Sequence, residues 1–144
     1  MPRGPRSNLA DYAFFHAYAR GVDRMAISRD DADRVAWVAL LERAVDRFEL
    51  TIHTYCLMPN HFHLVVESEL NDLSSGMHHL NGIYAQRFNR RHERSGHLFQ
   101  ERFGVRAIDD ETYLYGACAY VLDNPVRAGL CESADDWPWS AGPS

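Results

Sequence analysis

Residues 49–68 contain two strand-like runs on either side of a tight turn: ELTIHTYCL, then MPN with Pro59 and Asn60, then HFHLVVES. Apolar, β-branched and aromatic residues dominate the runs, and the turn chemistry between them returns the chain on itself, so the segment reads as an antiparallel hairpin. It restricts the fold more than any other feature because helical patterns flank it on both sides. Before it, DDADRVAWVALLERAVDRF repeats Val38, Leu41, Val45 and Phe48 at helical spacing behind an acidic first turn that suits the helix dipole. After it, a helix beginning at Asn71 aligns Leu73, Met77, Leu80, Tyr84 and Phe88 on one face. YAFFHAYARG, residues 12–21, supplies a first strand ending in glycine, and HLFQERFGVRAI, residues 97–108, a fourth. A third helix starts at Asp109 or Asp110 and is expected to stop at Asn124, because the residue before Pro125 is pushed out of helical geometry. The order is βαββαβα. Two βαβ halves around an antiparallel hairpin make an α+β, ferredoxin-like fold, with an antiparallel four-stranded sheet and helices packed on one face.

A chain of 144 residues suits one domain, residues 1–144. With 46% hydrophobic and 24% charged residues, disorder, collagen and low complexity are excluded. No run approaches the roughly 18 apolar residues of a membrane helix, and MPRGPRSNLADY lacks the apolar core of a secretory signal, so a cytoplasmic protein without membrane contact is expected. Cys56, Cys118 and Cys131 show no CxxC spacing and read as reduced thiols filling the interior.

Net charge is -5, which alone argues against nucleic acid. The distribution argues otherwise. All fifteen basic residues are arginine, and residues 84–106 hold Arg87, Arg90, Arg91, Arg94, Arg102 and Arg106 against Glu93 and Glu101. A basic segment inside an acidic protein can follow a phosphate backbone. His92, His97, Phe99 and Phe103 are interleaved with the arginines as candidates for stacking on bases.

Alternation in HFHLVV sends His61, His63 and Val65 to one face and Phe62, Leu64 and Val66 to the other. Two imidazoles on one face can converge on an ion, although spacing alone leaves open that they only satisfy polar neighbours. Of the tyrosines on the third helix, Tyr113, Tyr115 and Tyr120, only Tyr120 has a potential ligand four residues on, Asn124. A core or rim aromatic is the other reading of such a tyrosine. Trp137 and Trp139 read as caps on the core, and His53, His78 and His79 as surface or satisfied polar groups.

YCLMPNHFHLVV, NRRHERSGHLFQERF, YVLDNPVRAGL and the closing DWPWS resemble the REP-associated tyrosine transposases, relatives of the single-tyrosine HUH transposases of bacterial insertion sequences. The resemblance covers nearly the whole chain. It implies a ferredoxin-like HUH fold that cuts single-stranded DNA and joins its tyrosine to the 5′ phosphate, leaving a free 3′ hydroxyl. By it, His61 and His63 are the HUH pair, Tyr120 is the nucleophile and Asn124 the third metal ligand. Insertion-sequence members tend to carry glutamine at that last position, so Asn124 and NPVRAGL point to the REP-associated branch.

Such chemistry asks for these residue types. Two neutral imidazoles and an amide suit weakly held Mg²⁺ or Mn²⁺ better than tight Zn²⁺. A divalent ion would stabilise charge developing on the phosphate, and tyrosine, only about 0.1% ionised at pH 7, needs such assistance. The expected partner is single-stranded or hairpin DNA, with no small-molecule cofactor, and a monomer is favoured over a dimer. A DNA- or RNA-binding protein that no longer cuts and a zinc hydrolase using the two histidines are the alternative readings.

Overall fold

The structure, a computed structural model, describes residues 13–142. Tyr12, the expected first residue of the opening strand, and the amino-terminal stretch read for targeting signals lie outside the described residues. The elements run β1 (Ala13–Arg20), α1 (Asp31–Phe48), β2 (Thr51–Leu57), β3 (His61–Ser68), α2 (Leu70–Arg91), β4 (Gly104–Ile108), α3 (Glu111–Arg127) and β5 (Ser140–Ala141). All strand pairs are antiparallel, in the order β4-β1-β3-β2-β5. The first four are the ferredoxin-like sheet. β5 is an addition of two residues, too short to leave a pattern in sequence.

The expected hairpin is β2 and β3, closed by Met58 N–H donating to the His61 carbonyl at 2.8 Å. Phe62, Leu64 and Val66 enter the main core with Phe15, Ala17 and Ala19 of β1 and the helices α1 and α2. All five apolar residues expected on α2 are buried. On α1 the buried stripe is instead Trp37, Leu40, Leu41 and Ala44, which leaves Val38, Val45 and Phe48 at the margin. Trp37 decides this. As the largest apolar group on the helix it takes the centre, 5.0 Å from the Phe62 ring and 5.8 Å from Tyr55, and burying such a side chain contributes roughly 1.5–3 kcal/mol.

Two boundaries and one packing face also differ from expectation. The strand expected over residues 97–108 pairs continuously only from Gly104. Residues 98–103 instead turn inward, burying Leu98 and Phe103, and hold the end of β1 through Val22 N–H to Leu98 O and Gln100 N–H to Arg20 O, both 2.8 Å. Helix α3 does not stop at Asn124 but carries Pro125 inside its last turn. There the missing N–H removes a single bond, and Ala128 N–H still donates to Asn124 O at 3.0 Å. Gly129, at φ 76°, then ends the helix in the left-handed conformation that glycine adopts without strain. Finally, α3 does not join α1 and α2. It packs on the opposite face of the sheet, where Cys118 and Val121 meet Cys56, Met58 and Val65 in a second, smaller apolar cluster.

Trp139 packs against the main core and Trp137 against the second cluster, where its indole N–H donates to Leu57 O at 3.1 Å. His53 is held by Glu67 at 3.0 Å, His79 lies 5.5 Å from the Phe48 ring, and His78 is exposed. The three cysteines are free thiols, Cys56 and Cys118 buried and Cys131 half-buried. Among the described residues no helix is long and apolar enough to cross a membrane.

Candidate active site

Strand pairing assembles the polar face that α3 overlies. His63 stands opposite Tyr18 on β1 and His61 opposite Arg20, while on the far side of β1 His16 stands opposite Arg106 and Tyr18 opposite Gly104. Alternation puts His16, Tyr18 and Arg20 on the face of His61 and His63, because Phe15, Ala17 and Ala19 fill the core behind them. Gly104 makes room for the Tyr18 ring, since a Cβ there would lie 2.2 Å from its Cζ. A cleft of about 390 Å³ is bounded by His16, Tyr18, Arg20, His63, Arg106, Ala117 and Tyr120.

Each histidine of this pair has a neighbour at Nδ1. His61 Nδ1 lies 2.6 Å from Asn60 Oδ1 and His63 Nδ1 lies 2.9 Å from His16 Nε2. The other nitrogen of His61, Nε2, lies 3.3 Å from the Asn124 amide. Burial, reinforced by Arg20, lowers the His61 pKa to about 4 despite the Asn124 contact. Burial and then the adjoining His16 and His61 lower His63 to about 3, and burial with Arg106 lowers His16 to about 4. All three imidazoles are neutral at physiological pH.

Tyr120 is half-exposed on α3, its ring 6.2 Å from His63 and 6.3 Å from His16. The Arg127 guanidinium sits 4.1 Å from the Tyr120 ring centre, donates to the Tyr120 carbonyl at 3.0 Å and pairs with Asp123 at 3.3 Å. Tyr113 and Tyr115 stand earlier on the helix, each 69% exposed. Thus His61, His63, Asn124 and Tyr120, gathered from β3 and α3, meet at one place. Among the described residues no three His, Cys, Asp or Glu side chains gather in metal-binding geometry. The Asn124 amide adjoins His61 Nε2, and a donor set of two imidazoles and one amide would fit a hard divalent cation held weakly.

The family model for IS200-like transposases matches residues 15–124, from Phe15 in β1 to Asn124 itself. The chain belongs to this family. It is 28% identical over 97 residues to a Haemophilus influenzae protein classed as a REP-associated tyrosine transposase, a match covering 60% of this chain and 55% of that one. The chain therefore spans about half the length of the curated relative it matches. Its fold is similar to that of a solved REP-associated tyrosine transposase bound to a REP hairpin, with a TM-score of 0.74 and 19% identity over 97% of this chain and 82% of the other. A Deinococcus radiodurans protein classed as a transposase is similar at a TM-score of 0.55 and 15% identity, over 86% of this chain and 95% of that one.

In this chain the expected arginine patch divides. Arg91 is committed to α1, with its two nitrogens on Asp30 at 2.6 and 2.7 Å and a further bond to Asp33 at 2.7 Å. Asp33 is 3% exposed and also accepts from Arg29 N–H and His92. Burial alone would raise its pKa, but these hydrogen bonds hold the carboxyl below the usual range. Arg94 braces the turn after α2, donating to Asn89 Oδ1 at 2.9 Å and His97 O at 2.8 Å. His92 is thus a partner of Asp33, while Phe99 packs on Phe62 and Tyr84 and Phe103 is buried, so none of these three is a free platform for bases. Arg87, Arg90, Arg102 and Arg106 are exposed, and Arg106 borders the cleft. His16, Tyr18, Arg20 and Arg127 were not singled out from sequence. The alternation of AFFHAYAR and the seven-residue step from Tyr120 to Arg127, two helical turns, carried the signal.

Proposed function

We propose that this IS200-like transposase cleaves and rejoins single-stranded DNA at hairpin-forming repeats through a 5′-phosphotyrosine on Tyr120. The convergence of Tyr120 with His61, His63 and Asn124, across a cleft flanked by Arg20 and Arg106, is the observation that carries the reading. Tyr120 Oη attacks the phosphorus, the bond to the 3′ oxygen breaks, and that oxygen leaves as a 3′ hydroxyl; attack by a 3′ hydroxyl on the phosphotyrosine reverses the step without ATP. His61, His63 and Asn124 would hold Mg²⁺ or Mn²⁺, which when bound supplies positive charge to a nonbridging phosphate oxygen. Arg127, over the Tyr120 ring and bonded to its carbonyl, restrains the tyrosine on its helix. Arg20 and Arg106 would receive the phosphates beside the cleft, and Arg87, Arg90 and Arg102 would follow the strand beyond it.

The solved relative bound to a REP hairpin favours hairpin DNA as the substrate. The test is incubation of the protein with hairpin oligonucleotides and Mn²⁺, followed by a denaturing gel. A covalent protein–DNA band that disappears with EDTA is expected. Binding without cleavage would make the protein a DNA-binding member of its family, and cleavage without a covalent band would make it a metal-dependent hydrolase.

A further inference from the structure

We propose that His16 is a positioning residue that fixes the tautomer of His63 and so presents the His63 Nε2 lone pair for ligation. This rests on the reading of His61, His63 and Asn124 as metal ligands. A neutral imidazole has one N–H and one lone pair, and the partner of one nitrogen decides the state of the other. His63 Nδ1 and His16 Nε2 are 2.9 Å apart, so one proton lies between them. Placed on His63 it leaves Nε2 bare. Placed on His16 it forces the His63 proton onto Nε2, where ligation is blocked.

The neighbouring histidine shows which arrangement the site is built for. Asn60 Oδ1 can only accept, so at 2.6 Å it fixes His61 as the Nδ1–H tautomer, and the lone pair left on Nε2 faces the Asn124 amide. His16 performs for His63 what Asn60 performs for His61, from a different strand. Its register partner is Val65, whereas His63 stands opposite Tyr18, so the contact is a diagonal across the β1–β3 ladder on the cleft face. Side chains held in this way at Nδ1 commonly change metal affinity 10–100-fold when removed, although they never touch the ion.

The test reads the tautomer directly, in protein free of metal and DNA. Long-range ¹H–¹⁵N spectra should show His63 as Nδ1–H in the native protein. His16→Phe, which keeps a ring but offers no acceptor, should move His63 to Nε2–H and weaken Mn²⁺ binding, measured by electron paramagnetic resonance without DNA, about 10–100-fold. His16→Gln, whose Oε1 replaces the accepting nitrogen, should restore both. A native His63 in the Nε2–H form overturns the proposal, as does unchanged Mn²⁺ affinity in His16→Phe. Should His16→Phe fail to fold, the native tautomer and the Gln variant still decide. A native protein with the Nδ1–H tautomer that binds no Mn²⁺ would overturn the ligand reading and leave the tautomer assignment standing.

Discussion

On β3, neighbouring side chains face opposite environments. Phe62, Leu64 and Val66 are fully buried beneath α1 and α2, while His61 and His63 stand half-buried beside a cleft that α3 covers only in part. The first face gains its free energy from close apolar packing and contains no group that titrates near neutrality. The second gives up some packing to keep imidazoles desolvated, and therefore neutral, yet within reach of a ligand. Val65 lies on the second face but toward the far end of the strand, where it anchors α3 through Val121 and Cys118. One strand thus fastens the fold with one set of residues and lines the candidate site with the other.

Substitutions on the two faces should separate stability from activity. The largest effect is expected for His61→Ala and His63→Ala, each lowering covalent adduct formation by about 1000-fold or more while circular dichroism stays close to native. Full activity in either variant would remove that histidine from the site. Leu64→Ala or Phe62→Ala, on the other face, should lower unfolding free energy by about 3–5 kcal/mol in urea titrations, with normal cleavage by the fraction that remains folded.

A pH series sharpens the same contrast. Unfolded histidine titrates near 6.5, whereas His16, His61 and His63 titrate at about 4, about 4 and about 3 when folded. Between these limits the unfolded chain binds more protons, so stability should fall as pH drops from 6.5 through 4, by on the order of 3 kcal/mol for a single histidine before mutual coupling and solvent screening reduce it, and stay level just above neutrality. His63→Ala should flatten that slope. Leu64→Ala should lower the whole curve and keep its shape. The smallest effect concerns the arginines: replacing Arg102 or Arg106 by glutamine should reduce the log–log salt dependence of single-strand binding by about 0.7 each. Arg91→Gln should leave that slope unchanged and lower the melting temperature, because its partners are Asp30 and Asp33.

Sequence revealed the elements whose signal is local. Period-2 alternation marked β3 to the residue, the stripe from Leu73 to Phe88 marked the buried face of α2, and the spacing of Tyr120 and Asn124 placed both on one helical face. What escaped is non-local. AFFHAYAR reads as a strand, but nothing in it says that register will set His16 diagonally beside His63 or Arg20 opposite His61. A run of arginines gives charge without its partners, so Arg91 counted toward a DNA surface until the fold brought Asp30 and Asp33 to it. The rotation of α1 was decided by the size of Trp37, which a count of apolar positions does not weigh. Pro125 counted as a stop because the local rule cannot see that a final helical turn loses only one hydrogen bond to it.

The proposed attack on the phosphate by Tyr120, one helical turn before Asn124, is open to a direct measurement. Hairpin DNA with a single-stranded flank should be incubated with the protein and Mn²⁺, the complex denatured and digested, and the DNA-linked peptide sequenced by mass spectrometry. The expected result is a phosphotyrosine at Tyr120, no adduct from Tyr120→Phe despite near-native DNA binding, and undiminished adduct from Tyr113→Phe and Tyr115→Phe. Attachment at Tyr113 or Tyr115, or a Tyr120→Phe protein that still cleaves, would contradict it.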